Sequence, residues 1–300
     1  MPHIKANGLD IFYDEFGDKD APPLLLIMGL GTQMVAWPED FCGDLASQGF
    51  RVIRFDNRDI GLSQKIDGAP RYSVPFALAK AWLGWKVRSP YSLDDMAADA
   101  VGLLDALGIR KAHIVGASMG GMIAQVVAAK YPERCISLVS IMSTSGARNL
   151  PGPKREAFAG LREKRPPASD REGTIRFGMK ALRAIGSPGY PPDEEELRAA
   201  VTRSVDRSVH PAGFVRQFLA VLAHGSRAEL LKTIRVPTLV LHGEADPLVP
   251  VEGGRDTARL IPGAAIKTFP GWGHDLPKEL LPQLTAAIVE HCKAAQAVTA

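Results

Sequence analysis

The chain has 300 residues, of which 46% are hydrophobic and 23% are charged, so it can bury a large core as one α/β domain or as two smaller ones. Its formal net charge of +3, with acids and bases mixed along the chain, gives no reason to expect nucleic acid or an anionic membrane surface as the partner. A small molecule is the expected partner.

A β-hairpin is predicted at the start of the chain, because Asn7-Gly8 separates two strand-like segments, 3–6 and 9–16. Short apolar runs then alternate with helical patterns, which predicts a mostly parallel central sheet flanked by helices. Ser92 is expected to cap one of these helices, with Asp95 in its first turn. The predicted strands cover residues 24–28, 51–56, 111–116, 135–142, 237–242 and 265–269, and the predicted helices cover 41–48, 93–107, 119–131 and 278–292.

Residues 146–227 interrupt this alternation, since they contain no clear strand, many charges, proline-rich joints and amphipathic helical patterns. We interpret them as a helical cap inserted into an α/β core made of residues 1–145 and 228–300. A smaller inserted segment, at about 65–90, is expected to lie over the same edge of the sheet. Its two tryptophans either line an entrance or only pack the segment.

The segment Gly116-Ala-Ser118-Met-Gly120-Gly121 lies where a predicted strand ends and a predicted helix begins. A Gly-x-Ser-x-Gly pattern at such a turn raises the serine hydroxyl above the sheet, and larger side chains at the glycine positions would collide with the neighbouring strand and helix. The start of the helix adds partial positive charge where an oxyanion would form. The pattern predicts that Ser118 is a nucleophile; a plain glycine-rich turn with an uninvolved serine is the alternative.

With this motif the chain resembles the α/β-hydrolase family, over nearly its whole length. Besides Gly116 to Gly121, the resemblance includes residues 55–63, 242–250 and 271–275. Within the family the chain is similar to bacterial esterases related to aclacinomycin methylesterase, particularly in residues 28–38. The resemblance implies an α/β-hydrolase fold and a catalytic serine, acid and histidine in that chain order.

His274 is the expected general base. A serine hydroxyl needs a base within hydrogen-bond reach, and the seven histidines of the chain compete for that role. His274 lies in the loop after the last predicted strand, where the family delivers its base. His242 ends a strand but precedes the acid, and His113 lies inside a strand, where a core position is expected. The other histidines, near the termini or in and beside the predicted cap, are His3, His210, His224 and His291.

Asp246 is the expected acid, which orients the imidazole and stabilises the imidazolium. The strand after the nucleophile ends without a carboxylate, and the next core strand leads to Asp246, the position that the family resemblance implies. Glu244 is a nearby competitor that we expect to face solvent or to cap the turn. Asp275 adjoins the histidine, and neighbours on a loop rarely face each other. Asp56 and Asp59 are the remaining candidate carboxylates, and for residues 56–58 we favour a structural loop network.

Two backbone amides are expected to bind the oxyanion. One belongs to Met119, the residue after the nucleophile, and the other to Leu30, with Gly29 as the alternative. Most relatives carry His-Gly in this loop, where this chain has Met28-Gly29, and a backbone donor does not need that histidine. Apolar residues near the nucleophile predict a hydrophobic acyl or alcohol group on the substrate. They are Met28, Leu30, Trp37, Met119 and Trp272, with Met142, Phe177, Phe214 and Phe218 as further candidates.

The expected function is that of a serine hydrolase which cleaves carboxylic esters through an acyl-enzyme, with neither a cofactor nor a metal. A cofactor-free perhydrolase or haloperoxidase, or a C–C bond hydrolase, would use the same three residues. A non-catalytic receptor for a small ligand is a third class on this fold. Three scattered cysteines and the lack of a signal-like or bilayer-length apolar segment predict a cytoplasmic protein without a membrane span. The expected partner is a small-molecule ester, and the sequence leaves a homodimer open.

Overall fold

Eight strands form one sheet in the computed structural model, which describes residues 2–66, 73–157, 166–167 and 169–299. They are β1 (His3–Ala6), β2 (Leu9–Phe16), β3 (Pro23–Ile27), β4 (Arg51–Phe55), β5 (Ala112–Ala117), β6 (Cys135–Ile141), β7 (Thr238–Gly243) and β8 (Ala265–Phe269). Their order in the sheet is β1-β2-β4-β3-β5-β6-β7-β8. β2 pairs antiparallel with both β1 and β4, and the other neighbours are parallel. The predicted hairpin and the mostly parallel sheet are confirmed.

Helices cover both faces of this sheet. They are α1 (Glu39–Ser47), α2 (Val74–Leu83), α3 (Leu93–Ala106), α4 (Met119–Lys130), α5 (Arg171–Ile185), α6 (Glu194–Arg207), α7 (Pro211–His224), α8 (Ala228–Leu231), α9 (Val251–Leu260) and α10 (Leu281–Thr299). The predicted cap of α3 is confirmed, since Ser92 Oγ accepts from the Asp95 amide at 3.1 Å and the Asp95 carboxylate accepts from the Ser92 amide at 2.7 Å. α10 continues beyond the predicted end at residue 292, because no glycine or proline follows there to stop it. Within the described ranges, no helix combines the length and the apolar character needed to cross a bilayer.

The side chains of the central strand β3 alternate between two cores. Leu25 and Ile27 pack with α3 and α4 on one face, whereas Leu24 and Leu26 pack with α1 and α10 on the other, and all four are fully buried. A strand that is buried on both faces is apolar at every position, which is why the sequence shows continuous runs. The loops at the carboxyl ends of these strands therefore start from a rigid base.

Helices α5, α6 and α7 lie in chain order between β6 and β7, within the stretch predicted to be a cap. We call these three the inserted helices. α7 packs against α2, the helix of the smaller inserted segment. Parts of both predicted insertions, residues 67–72, 158–165 and 168, lie outside the described residues. α5 and α6 share a small apolar cluster of their own, formed by Ile175, Met179, Leu197 and Val201.

A buried network of polar side chains attaches α7 to the core. Arg216 of α7 donates two hydrogen bonds to the Asp59 carboxylate, at 2.8 and 2.7 Å. Gln217 bridges two core loops, because its amide nitrogen donates to the Arg58 carbonyl at 2.8 Å and its amide oxygen accepts from the Gly31 amide at 2.9 Å. The position of α7 is thus fixed by paired, buried charges rather than by apolar contact alone.

Asp56 attaches α6 to the core in the same way. Its carboxylate accepts hydrogen bonds from the amides of Met34 and Leu62, each at 2.8 Å, and lies 2.7 Å from the guanidinium of Arg207 at the end of α6. The structural network predicted at Asp56 is confirmed, and Asp59 also has a structural role. Its reach is wider than the sequence suggested, since the arginine partners come from the inserted helices.

Candidate active site

Ser118 lies at the sharp turn between β5 and α4, with φ 57° and ψ −120°. A non-glycine residue rarely adopts a positive φ, so this turn stores strain. Glycine is needed on both sides, because a Cβ on Gly116 would collide with the Gly120 carbonyl, and a Cβ on Gly120 would collide with the Ile27 carbonyl. Ser143 supports the turn from β6, since its Oγ donates to the Ser118 carbonyl at 2.8 Å. The strand–turn–helix context predicted for the motif is confirmed.

Three of the predicted site residues form one continuous hydrogen-bonded chain. His274 Nε2 lies 2.9 Å from Ser118 Oγ, and His274 Nδ1 lies 2.7 Å from Asp246 Oδ2. A carboxylate only accepts, so Nδ1 donates to Asp246, and the neutral ring leaves Nε2 free to accept the serine proton. The other carboxylate oxygen accepts from the amides of Leu248 and Val249, at 2.9 and 2.8 Å. Asp246 is buried, and its orientation is therefore fixed at both oxygens.

The competing carboxylates lie elsewhere. Glu244 is exposed and accepts a hydrogen bond from the Thr268 hydroxyl at 2.8 Å, as expected for a residue that faces solvent. Asp275 accepts from Ser187 rather than from the neighbouring His274. Asp246 is thus the carboxylate whose geometry suits the role of the acid.

His242 touches the acid without reaching the nucleophile. Its Nε2 lies 2.8 Å from the Val249 carbonyl and 3.6 Å from Asp246 Oδ2. Burial lowers the pKa of His242 below its usual 6.5, so the ring is neutral at neutral pH and Nε2 donates to the carbonyl. His113 is buried and its Nδ1 lies 2.8 Å from Ser137 Oγ, as expected for a core position. Among the described histidines, His274 alone contacts Ser118.

The loop after β3 passes beside the nucleophile, since a Cβ on Gly29 would lie 3.1 Å from Ser118 Cβ. Met119 is the first residue of α4, so its amide has no acceptor inside the helix. No hydrogen bond joins the amide of Leu30 or of Met119 to another residue in the described part of the chain. The amide of Gly31 is already bonded to α7. Leu30 and Met119 therefore stay the predicted oxyanion donors, with Gly29 as the alternative.

Two tryptophans that were expected to line the pocket belong to the core instead. Trp37 and Trp272 have no exposed surface. Trp37 stacks on Phe41, and Trp272 meets Phe269 edge to face. About half of the apolar candidates were expected to be core residues, and these two are among them, because a large aromatic side chain after a strand can fold beneath the loop as readily as over it.

Aromatic side chains of α7 lie at the loop that carries the predicted oxyanion donor. The rings of Phe214 and Phe218 stack with centroids 6.4 Å apart, and a Cβ on Gly31 would collide with Phe214. Helix α7 therefore brings apolar surface to the loop that passes beside the nucleophile. This placement agrees with a hydrophobic group on the substrate.

The loop that carries His274 is held by residues 185–189, at and after the end of α5, which we call the clamp. The His274 amide donates to the Ile185 carbonyl at 2.7 Å, and the Gly273 amide donates to Ser187 Oγ at 2.8 Å. Ser187 Oγ in turn donates to the Asp275 carboxylate. The backbone on both sides of the histidine ring is thus fixed by the inserted helices.

No local motif marks this clamp, and sequence reasoning missed it. Ser187 is 86 residues from Gly273 and 88 from Asp275, so only the folded chain brings them together. The one sequence signal for this contact is the pair of glycines Gly186 and Gly273, since a Cβ on Gly273 would collide with the carbonyl of Gly186. Burial raises the pKa of Asp275 above its usual value, and the hydrogen bonds from Ser187 oppose that rise.

The arrangement suits acyl transfer, because it joins a hydroxyl, an imidazole and a carboxylate in one chain beside unpaired amides. In the portions of the chain that the structure describes, no group of three or more His, Cys, Asp or Glu side chains is placed to hold a metal ion. The hydroxyl, imidazole and carboxylate that meet in the site are the groups used in nucleophilic and acid–base catalysis.

Comparisons with known proteins agree with this chemistry. A family model described as alpha/beta hydrolase fold matches residues 22–279. Rhodomycin D methylesterase DauP from Streptomyces sp. (strain C5) is 30% identical, over 97% of this chain and 98% of its own length. The bifunctional esterase/perhydrolase DCH from Acinetobacter calcoaceticus is 27% identical, over 90% of this chain and 91% of its own. The crystal structure of a thermophilic esterase from Thermogutta terrifontis matches with a TM-score of 0.72 and 25% identity, and covers 98% of each chain.

Proposed function

The chain belongs to the alpha/beta hydrolase family and is a carboxylic ester hydrolase, and we propose that it works through a covalent acyl-enzyme on Ser118. The observation that carries this proposal is the continuous chain from Ser118 through His274 to Asp246, with distances of 2.9 and 2.7 Å. Those distances are within the reach that proton transfer requires. No rearrangement of the protein is needed to form the chain.

In the first half of the reaction, Ser118 Oγ attacks the carbonyl carbon of the ester while His274 Nε2 takes its proton. The Asp246 carboxylate stabilises the imidazolium, and the carbonyl oxygen becomes an oxyanion that the amides of Leu30 and Met119 bind. When the tetrahedral intermediate collapses, the C–O bond to the alcohol breaks and His274 returns the proton to the leaving oxygen. Water then attacks the acyl-enzyme by the same path and releases the acid.

The proposed substrate is a small-molecule ester with a hydrophobic acyl or alcohol group. The stacked rings of Phe214 and Phe218 support this, because they place apolar surface beside the loop that faces Ser118. DauP is named as a methylesterase, so methyl esters of apolar acids are the first substrates to test beside the chromogenic esters. The cytoplasmic location and the oligomeric state stay predictions.

The direct test is Ser118→Ala, assayed with p-nitrophenyl butyrate and with a methyl ester. Loss of the nucleophile should lower kcat by about 10⁴-fold or more, while the thermal unfolding midpoint stays within the range of the wild type. Ser47→Ala, at an exposed serine on α1, is the matched control and should keep full activity. Normal turnover by Ser118→Ala would remove the nucleophile assignment.

Perhydrolysis is the second candidate, because the relative DCH is named as both an esterase and a perhydrolase. In that reaction hydrogen peroxide replaces water in the attack on the same acyl-enzyme. A peroxide-dependent halogenation assay run beside ester hydrolysis separates the two, and dienoic acids test for C–C bond cleavage. Tight binding of small molecules without turnover of any ester would favour a receptor instead.

A further inference from the structure

Helix α2 exposes apolar side chains where a surface helix normally carries polar ones. Phe76 is 60% exposed, Trp82 is 85% exposed and Leu83 is 50% exposed. Phe76 and Leu83 are seven residues apart, so they lie along one face of the helix, and Trp82 borders that face. The opposite face is the covered one, since Ala77 and Ala81 pack against α7. The outward face of α2 therefore lacks the polar character that water favours.

A second tryptophan and four cations surround this face. Trp85, just after the helix, is 61% exposed. The Lys80 ammonium lies 4.8 Å from the centroid of the Phe76 ring, and the Arg148 guanidinium approaches Gly84 at the helix end. Lys86 and Arg88 follow directly and are exposed, and residues 68–93 contain no aspartate or glutamate. We call this set, Phe76, Lys80, Trp82, Leu83, Trp85, Lys86, Arg88 and Arg148, the aromatic-basic surface.

We propose that the aromatic-basic surface binds the headgroup region of an anionic lipid bilayer. Tryptophan and phenylalanine side chains partition into the boundary between headgroups and acyl chains, and lysine and arginine beside them are attracted to anionic lipids. The net charge of +3 does not reveal such a surface, because acids elsewhere in the chain balance its cations. The overall net charge therefore neither supports nor opposes a local basic surface of this kind.

A second copy of the chain is the competing occupant of this surface. In a symmetric dimer the same patch meets itself, so the four cations of one copy would face those of the other. Like charges brought together in this way cost free energy, whereas an anionic bilayer offers the opposite charge. The charge of the surface thus favours lipid over self-association.

The surface is linked to the candidate active site through a single helix. α2 packs on α7 through Val215, Leu219 and Leu222, and α7 contacts the loop beside Ser118 through Phe214 and Gln217. Bilayer binding would therefore hold the site close to a reservoir of apolar esters. The proposal does not depend on the chemistry at Ser118, since lipid binding is measured without turnover.

The test is sedimentation with phosphatidylcholine vesicles that either contain or lack phosphatidylglycerol, together with tryptophan emission. Trp37 and Trp272 have no exposed surface, so a blue shift on vesicle addition reports Trp82 and Trp85. We expect binding only to vesicles with phosphatidylglycerol. Trp82→Ser/Trp85→Ser should weaken it about tenfold or more.

The charge of the surface is tested with a matched pair of double variants. Lys86→Gln/Arg88→Gln removes two cations of the surface and should weaken binding about 25-fold, at about fivefold for each cation. Lys19→Gln/Lys293→Gln removes the same net charge from exposed positions elsewhere and should change binding less than twofold. All variants should hydrolyse a soluble ester at the wild-type rate, which separates loss of lipid binding from loss of folding.

Three results would overturn the proposal. The first is equal binding of the wild type to both kinds of vesicle, and the second is an equal loss of binding in the two charge variants. The third is a concentration-dependent dimer, seen by light scattering, that Trp82→Ser/Trp85→Ser abolishes, which would assign the surface to self-association.

Discussion

The nucleophile and the base of the candidate site are held by different kinds of contact. Ser118 is fixed by its own neighbours in sequence, because Gly116 and Gly120 allow β5, α4 and the end of β3 to meet at the turn. His274 is fixed by the clamp at residues 185–189, which belongs to the inserted helices. One half of the site is thus built by the sheet, and the other half depends on a separate set of helices.

This difference teaches that the inserted helices do more than cover the site. The pairs Arg216–Asp59 and Arg207–Asp56 attach α7 and α6 to the core, and α5, which leads into the clamp, packs on α6. A change in the inserted helices can therefore alter catalysis through the position of His274, while the Ser118 turn stays intact. The variants below separate these two halves.

Among these variants, Asp246→Asn should lower kcat the most, because Asp246 holds His274 in the orientation that catalysis requires. An amide in place of the carboxylate can donate to His274 Nδ1, which favours the tautomer with its proton on Nε2, where it cannot accept from Ser118. We expect kcat to fall by about 10⁴-fold with little change in the thermal midpoint. A loss below tenfold would show that Asp246 does not orient the base.

Arg216→Met should have the largest effect on the attachment of the inserted helices. It leaves the buried Asp59 carboxylate without its charged partner, so the free energy of unfolding in urea should fall by about 3–5 kcal/mol. Arg171→Met is the matched control, since the Arg171–Asp206 pair has similar geometry but is about half exposed. Removal of that exposed pair should cost no more than about 1 kcal/mol. Equal losses for the two variants would refute a special role for the buried pair.

The Arg216–Asp59 pair should also make the difference in unfolding free energy between wild type and Arg216→Met depend on pH. Burial is the largest single influence on Asp59 and raises its pKa. The hydrogen bonds from Arg216, the Ile66 amide and Tyr91, together with the charge of Arg216, outweigh it and hold that pKa below its usual 3.8. A carboxyl with a lowered pKa in the folded state stabilises the fold above the unfolded value and loses this contribution as the pH falls through the folded value. The gap in unfolding free energy between wild type and Arg216→Met should therefore be widest near neutrality and narrow as the pH falls towards and below 3.8, because the carboxyl that lacks Arg216 is protonated first. A gap that widens in acid would contradict the assignment.

Ser187→Ala should have the smallest effect and tests the clamp itself. Without the hydroxyl, the Gly273 amide and the Asp275 carboxylate both lose a partner, and the loop can shift by a fraction of an ångström. We expect kcat to fall by about tenfold while KM changes little, because His274 moves and the apolar pocket does not. Ser187→Thr keeps a hydroxyl and should restore most of the loss. An equal change in kcat and KM, without rescue by threonine, would indicate a merely structural role.

The sequence predicted the parts of this molecule that depend on local pattern. The hairpin at Asn7-Gly8, the strands of the sheet and the Ser118 turn follow from turn chemistry, apolar runs and glycine spacing. The acid and the base could be assigned only with the family resemblance, because the sequence contains several carboxylates and histidines that could have filled these roles. The clamp and the buried state of Trp37 could not be predicted, since both depend on contacts between segments that are distant in sequence.

The most direct measurement is covalent labelling with a fluorophosphonate, followed by mass spectrometry of the peptides. The probe reacts only with a serine whose hydroxyl is activated by a neighbouring base. The chain Ser118–His274–Asp246 predicts one modification per molecule, on Ser118, and none in Asp246→Asn within the time that labels the wild type. A label on any other serine, or a wild type that turns over esters without being labelled, would contradict the account.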